Sequence, residues 1–476
     1  MTLEYNKNSL SACTSILVGK KASIGGSTMI GRNEDAKPSW PKHFVVHEFE
    51  KFTEHQKFVS KDNGFEMKLP DVRYKYTATP EWTDEEGLFE EDGYNEYGVG
   101  MSATESAYSN QTVLGVDPLV ENGVSEEAML TVVLPYVKTA REGVKRLGEI
   151  VEKHGTSETN GVLFSDQNEV WYFENGSGHY WVAQRIPDDC YAVVANQLAI
   201  QEIDFSDTDN FMFKSDIQEF VNDYNLNPNP EGFNFRKIFG TSDMSDAIYS
   251  TPRVWWGQQE FSGKTDESPE SQELSFIKKP NRLLSIDDVQ YYLSSHFQGT
   301  EFDPLNKSEN NKRYRPISLA KTQESHVLQT RPDLKPEIAC IQWLSMGVSS
   351  QSIYVPFYMG INDTPEEYKI GGLPYDDKSA YWTYKLAGIL LDGHYQELGK
   401  MYQDTQKNIN ITLRQMLRDF DIKALGQDEE QLPQFLTDAS NKMAETALTS
   451  YKELIAKLIT SSTDFSSLNF KTDMNL

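Results

Sequence analysis

Two short runs of apolar and small residues, at 12–18 and 27–31, flank a polar turn that carries Gly19, Gly25 and Gly26. Runs of this length around glycines predict a β-hairpin that begins at Cys13. Strand-like runs recur at 44–49, 98–103, 161–164, 170–173, 180–185 and 191–195. Several are joined by short turns, which predicts antiparallel pairing. From 125 to 154 the period changes. Met129, Val132, Val133, Val137, Val144, Leu147, Ile150 and Val151 fall at helical spacing, with Ser125, Glu126 and Glu127 suited to a start and Gly155 to a stop. One helix, or two broken near Pro135 and Thr139, should pack on the sheet. Beyond Pro365 the segments 379–421 and 432–460 read as long amphipathic helices. The stretch 205–315 is rich in Asp, Asn, Ser and Pro, and predicts loops and short helices that elaborate a core. No internal repeat and no low-complexity linker interrupts the chain.

Composition narrows the classes. At 476 residues with 38% apolar and 25% charged positions, the chain can bury a large core and is neither fibrous nor disordered in character. Its formal net charge of −27 leaves no basic stripe to neutralise phosphates, so nucleic acid and anionic membranes are not expected partners. The start lacks a basic segment followed by a long apolar one, and no apolar run approaches a membrane span, so a cytoplasmic protein is expected. Three scattered cysteines, Cys13, Cys190 and Cys340, suit neither a disulfide framework nor a zinc site of paired cysteines. Phosphate-loop, HExxH, GxSxG and dinucleotide-binding patterns are missing from the sequence, and His43 and His47 lie four apart on a strand-like stretch where that spacing is not metal-like. No metal and no cofactor are expected.

The chemistry concentrates in Ala12-Cys13-Thr14-Ser15-Ile16-Leu17-Val18 followed by Gly31-Arg32-Asn33-Glu34-Asp35. A cysteine that becomes the first residue carries its own base, because an α-amino group titrates near ~8 within reach of its own side chain. Arg32 would favour the thiolate by its fixed charge, and Asp35 would accept hydrogen bonds from the ammonium. On spacing alone, a small core cysteine beside a surface Arg–Asp pair is the commoner arrangement and the favoured one.

The series resembles the bacterial dipeptidases of the dipeptidase A type, within the N-terminal-nucleophile cysteine hydrolases and related to penicillin V acylases, bile salt hydrolases and acid ceramidase. The resemblance rests on Cys13 with Arg32 and Asp35, on the run from Asn95 to Glu105, and on Trp171-Tyr172-Phe173-Glu174 through Val193-Val194-Ala195-Asn196-Gln197. Thr251-Pro252-Arg253-Val254-Trp255, His326-Val327-Leu328-Gln329, Trp343-Leu344 and Tyr354-Val355-Pro356-Phe357-Tyr358 continue it in the same order. It implies an α+β fold, a four-layer αββα sandwich with a helical C-terminal extension: residues 1–12 a leader, 13–360 the hydrolase core, 361–476 a helical segment packed on it. It implies Cys13 as nucleophile after autocatalytic cleavage at Ala12–Cys13, Arg32, Asp35 and Arg253 beside it, and Asn196 as oxyanion donor. Substrate contacts are expected at Asn95, Thr104 and Glu105, the last as a partner for the α-ammonium of a dipeptide. Unblocked dipeptides are the expected substrates and a homo-oligomer the expected assembly. An acylase acting on N-acyl compounds and a catalytically silent assembly protein are the alternatives. Cys190 and Cys340, in apolar runs, are expected to be core residues.

Overall fold

The computed structural model describes residues 13–468. Thirteen strands build its two main sheets: β1 (Thr14–Val18), β2 (Thr28–Asp35), β3 (Asp92–Tyr94), β4 (Gly100–Ala107), β5 (Thr159–Ser165), β6 (Val170–Asn175), β7 (Trp181–Arg185), β8 (Tyr191–Val194), β9 (Phe211–Phe213), β10 (Ile277–Lys278), β11 (Thr322–Thr330), β12 (Cys340–Met346) and β13 (Val355–Tyr358). The first sheet has the order β10-β8-β1-β2-β11-β12-β13 and the second β9-β7-β6-β5-β4-β3, with antiparallel pairs throughout. The α+β class and the antiparallel pairing expected from the sequence are the ones observed.

Period-two alternation sends alternate side chains of each strand to opposite faces. Leu17, Ile30, Ala192, Val194 and Leu328 from the first sheet meet Leu163, Tyr172 and Val182 from the second in a shared core. The opposite face of the second sheet, with Met101, Ala103, Val162, Phe164 and Phe173, is covered by α1 (Glu126–Val133) and α2 (Ala140–His154). The opposite face of the first, with Ile16, Val18, Met29, Val193 and Val327, packs against α3 (Thr251–Ser262) and α4 (Ile286–Leu293). The same apolar cluster continues into α5 (Ala380–Asp392), α6 (Tyr395–Ala424) and α7 (Leu432–Ser462). All these helices therefore bury an apolar face against a sheet or against one another.

One open alternative is decided, and three details differ from the expectations. The 125–154 segment is two helices, parted by a short 3₁₀ turn at Leu134–Tyr136, where Pro135 cannot donate to the helical ladder. The 379–421 segment is not one helix. It breaks at Gly393, and His394, at φ −141°, leaves the helical region before α6 begins. The second hairpin strand does not end at 31 but runs to Asp35, because its polar half pairs with β11 from Thr322 to His326. Arg32 and Asp35 are thus inside the sheet, not at its end. The 44–49 run keeps a strand only at Val45–His47, in a separate two-stranded sheet with Tyr76–Ala78.

Candidate active site

Cys13 directly precedes β1, a central strand, and is fully buried. β1 pairs with β8 at Ser15↔Val194 and with β2 at Thr14↔Asn33. Continued by two residues, the first register brings Asn196 opposite Cys13. Alternation puts Ile16 and Val18 on the helix-covered face and Leu17 on the face toward the second sheet. Cys13 shares the Leu17 side, and so does Arg32, two residues beyond Ile30 on β2.

Along this inner face β2 changes from apolar at Ile30 to charged at Arg32 and Glu34, and β11 from Leu328 to His326 and Glu324. The pairs Arg32↔His326 and Glu34↔Glu324 face each other across the two strands. The Arg32 guanidinium spends its three nitrogens on different partners. Nη1 donates to the Cys13 sulfur at 3.0 Å, Nε to Ser102 Oγ at 3.1 Å, and Nη2 forms an ion pair with Glu91. Glu126 Oε1 stands 3.6 Å from Nη1. Burial works against the Arg32 charge, but the Cys13 thiol, Glu91, Glu126 and Glu34 outweigh it and hold its pKa well above the ordinary value. A sulfur facing a permanent cation is biased toward thiolate. Glu91 holds φ at +51°, a left-handed conformation that costs a non-glycine residue on the order of 1 kcal/mol. Its carbonyl accepts from Ala103 N–H at 2.9 Å, which ties this turn to β4.

The opposite face carries a second arginine. Arg253, on the first turn of α3, is fully buried. Nη1 donates to the Cys13 carbonyl at 2.5 Å and to Thr14 Oγ1 at 2.8 Å, Nη2 to Asn196 Oδ1 at 2.7 Å, and Nε to the Tyr249 carbonyl at 2.9 Å. Because arginine can only donate, the Asn196 atom it meets must be the oxygen, which fixes the amide's orientation. Asn196 Nδ2 then donates one hydrogen to the Ser106 carbonyl at 2.8 Å. Asp35 accepts from Thr322 Oγ1 at 2.5 Å and from Arg315 Nη2 at 2.5 Å. Arg315 also reaches Thr14 Oγ1 at 3.3 Å. Burial raises the Asp35 pKa, with Arg315, Thr322 and Arg253 opposing. The Tyr249 ring lies 5.2 Å from both Arg253 and Arg315.

A buried cysteine at a strand start thus has one arginine on its sulfur and another on its backbone and on an asparagine. The sequence matches peptidase family C69 over residues 12–408. The chain belongs to peptidase family C69. It is 46% identical to a probable dipeptidase of Latilactobacillus sakei over 470 residues, covering 98% of this chain and 99% of that protein. It is 40% identical to a probable dipeptidase B of Lactococcus lactis, covering 94% and 95%, and 36% identical to a dipeptidase A of Lactobacillus helveticus, covering 94% and 96%.

In this C69 chain the structure brings Cys13, Arg32, Asn196 and Arg253 into one bonded cluster, with Asp35 joined through Arg315 and Thr14. Asn95 is different. Its Nδ2 donates to the carbonyls of Leu134 and Val137 at 2.8 and 2.7 Å, and its Oδ1 accepts from Tyr97 and Val99 N–H at 3.0 and 3.2 Å. The carboxamide is saturated, so the expected substrate contact gives way to a structural staple between the 95–99 turn and the 134–137 segment. The backbone of Thr104 and Glu105 belongs to β4, where the pairing with β5 slips between Ala103 and Glu105; their side chains lie outside the described residues. Cys190 and Cys340 are core residues: burial first, then Asp189, pushes the Cys190 thiol up to about 11, and burial takes Cys340 up to about 12. His43 bonds the Gly371 carbonyl and His47 stacks on Tyr76 beside Glu90.

Sequence reading gave no role to Arg315, Glu91, Asp92 or Glu324, and none to Ser102 or His326 although both lie in the resembling runs. The signal lay in 322–330, where Glu324 and His326 occupy alternate positions of a strand that turns apolar at Val327 and Leu328. Asp92, Glu324 and His326 each offer a ligand atom within 4.8 Å of the others, all buried. Hydrogen bonds already engage these donors: Thr79 and Gln342 on Asp92, His326 Nδ1 against Glu324 at 2.9 Å, and His326 Nε2 against Ser102 at 2.9 Å. No helix among the described residues is long and apolar enough to cross a membrane.

Proposed function

We propose that this chain is a cysteine dipeptidase that hydrolyses unblocked dipeptides, with Cys13 as nucleophile once residues 1–12 have been removed. The observation that carries the reading is the double anchorage of Cys13: Arg32 on its sulfur and Arg253 on its carbonyl and on Asn196. The dipeptidase names of the full-length relatives support the substrate class. While residues 1–12 are attached the Cys13 nitrogen is an amide and cannot act as a base. Processing begins with attack of the sulfur on the Ala12 carbonyl and ends with a free α-amine. In the mature enzyme that amine takes the thiol proton, and Asp35, through the Arg315 and Thr14 contacts, helps to set the local charge. The sulfur adds to the peptide carbonyl. The second hydrogen of Asn196 Nδ2 meets the oxyanion, with its direction set by Arg253 on the amide oxygen. The ammonium returns its proton to the leaving amine, and water, deprotonated by the same amine, resolves the thioester. As written, the cycle uses protein groups alone.

Glu105 is assigned to the α-ammonium of the dipeptide. The proposal includes the four-layer fold of the N-terminal-nucleophile hydrolases, supported by two sheets that share a core and carry helices on their outer faces. It treats residues 361–476 as a helical segment on that core, keeps the protein in the cytosol, and gives the C-terminal helices a part in self-association, supported by the exposed Ile411, Ile422 and Leu425.

The test is the intact mass and N-terminal sequence of wild type beside Cys13→Ala, assayed on unblocked dipeptides, their N-acetyl forms and simple N-acyl amides. Wild type should begin at Cys13 and cleave dipeptides, while the variant keeps residues 1–12 and does neither. Hydrolysis by wild type with residues 1–12 still attached would rule out the α-amine as base. A preference for N-acyl amides would transfer the chemistry to an acylase.

A further inference from the structure

A continuous, fully buried chain of hydrogen bonds leads away from the nucleophile on the side that the reaction does not use. It runs from Cys13 Sγ to Arg32 Nη1, from Arg32 Nε to Ser102 Oγ at 3.1 Å, from Ser102 Oγ to His326 Nε2 at 2.9 Å, and from His326 Nδ1 to Glu324 at 2.9 and 3.2 Å. Asp92 Oδ1 lies 3.5 Å from the same Nδ1. Cys13, Arg32, Ser102, His326, Glu324 and Asp92 are all fully buried, and they come from both sheets: β2 and β11 from one, β4 and the start of β3 from the other. The direction of the chain follows from donor chemistry. Arginine only donates, so Ser102 Oγ accepts from Arg32 and its own hydrogen is directed at His326 Nε2. The imidazole then keeps its remaining hydrogen on Nδ1, where Glu324 accepts it.

We propose that Ser102 and His326 are positioning residues that hold the Arg32 guanidinium on the Cys13 sulfur. The need for such a hold comes from the surroundings of Arg32. Two carboxylates compete for it: Glu91 already pairs with Nη2, and Glu126 stands 3.6 Å from Nη1, the nitrogen that serves the sulfur. A guanidinium is a rigid plane, and a single contact at Nη2 does not set the angle at which that plane meets it. Fixing Nε on Ser102 adds a second point, and two points set the direction of Nη1. Without the second point Nη1 is drawn toward Glu126 and the thiolate loses its cation. The other charged groups around His326 are Glu91, Lys42 and Arg32 itself, and Lys42 bonds Glu34 at 3.2 Å and the Phe89 carbonyl at 2.9 Å.

This inference rests on Cys13 being the nucleophile, and the experiment separates the two. In protein expressed from the whole chain and shown by intact mass to share one N-terminus across the variants, the rate of Cys13 alkylation by iodoacetamide is followed by mass spectrometry of the Cys13 peptide from pH 5 to 10, beside the melting temperature, for wild type, Ser102→Ala, His326→Leu and His326→Gln. Ser102→Ala and His326→Leu should move the alkylation midpoint upward by about one pH unit, a roughly tenfold loss of reactive thiolate below it. His326→Gln, whose Oε1 can accept from Ser102, should return it to near the wild-type value. A purely structural role would lower the melting temperature and leave the midpoint in place. Unchanged midpoints in Ser102→Ala and in whichever His326 variant folds would overturn the proposal; Ser102→Ala removes one oxygen and decides alone if His326→Leu does not fold. If alkylation of wild-type Cys13 leaves dipeptide cleavage intact, the nucleophile assignment fails instead, whatever the midpoints do.

Discussion

Arg253→Lys is the sharpest test of how the site is organised, because it keeps the charge and removes the fork. Arg253 satisfies four acceptors at once: the carbonyls of Cys13 and Tyr249, Thr14 Oγ1 and Asn196 Oδ1. A lysine ammonium is a single point with three donors. If it settles where Nη1 stood, it keeps Cys13 and Thr14 and leaves the Tyr249 carbonyl and Asn196 Oδ1 unsatisfied. Each buried group left without a partner costs about 1–3 kcal/mol, so the fold should lose on the order of 2–6 kcal/mol. The catalytic effect is separate. With its oxygen released, the Asn196 amide can rotate, and loss of an oxyanion donor costs about a hundred- to a thousandfold in kcat. The assay is steady-state hydrolysis of an unblocked dipeptide, with intact mass to confirm removal of residues 1–12 and iodoacetamide alkylation of Cys13 as a control. We expect kcat to fall within that range while KM changes little, because the contact matters most as charge develops on the carbonyl oxygen. Alkylation should stay near the wild-type rate, since Arg32 and not Arg253 touches the sulfur. A folded, fully processed variant with kcat within threefold of wild type would refute the reasoning.

Three further outcomes are expected. Asn196→Ala should lower kcat about a hundred- to a thousandfold, and a variant with normal turnover would remove Asn196 from the mechanism. Asn95→Ala strips four hydrogen bonds from a buried turn and should cost about 3–5 kcal/mol in urea unfolding with kcat unchanged; a change in KM without a loss of stability would restore Asn95 as a substrate contact. Glu324→Gln should gain melting temperature relative to wild type as pH rises from 5 to 8. Burial, against the pull of Arg32 and Lys42, takes the Glu324 carboxyl up to about 8, whereas an unfolded carboxyl titrates near ~4. Folding therefore takes up a proton between those values, and the stability tied to it is present at low pH and lost as pH rises through about 8. His326, lowered to about 4 mainly by burial, has the opposite sign, with stability present above ~6.5 and lost as pH falls through about 4. A difference in melting temperature that does not change with pH would contradict a buried proton at Glu324.

The strands and helices were legible wherever one face of an element is apolar. The unbroken apolar runs at 161–164 and 191–195 and the helical period across 140–154 report burial directly. The break at Gly393 was visible as a glycine, but a helix tolerates one, and only the backbone at His394 shows that the chain leaves the helix there. Cys13, Arg32, Asp35, Asn196 and Arg253 were reachable through motif resemblance, since they lie up to 240 residues apart. The inner half of β11 was not legible. A buried strand that carries Glu324 and His326 looks, in one dimension, like a strand with a solvent face, and only the pairing with Arg32 and Glu34 shows that their neighbour is the second sheet. Asn95 misled for a related reason: a polar residue in a resembling motif reads as a ligand contact until its four partners are known to be backbone.

On the proposed mechanism, the division of charge across the first sheet is what sets Cys13 apart from Cys190 and Cys340. Cys190 and Cys340 lie in an apolar cluster, and burial, joined at Cys190 by Asp189, drives their thiols toward the neutral form. Cys13 is at least as buried, yet both faces of its strand end deliver a guanidinium to it, one to the sulfur and one to the carbonyl. Isolated, either cation would be too costly to bury, and each is kept by carboxylate or polar partners: Glu91 and Glu126 for Arg32, Asn196 and Thr14 for Arg253. The acidic side chains around the site are therefore required by the arginines, and the arginines by the sulfur. Neutralising Glu91 as Gln should accordingly disturb Cys13 alkylation, although Glu91 is bonded to the sulfur only through Arg32. Alkylation at the wild-type rate in folded Glu91→Gln would show that the Arg32 charge stands without it.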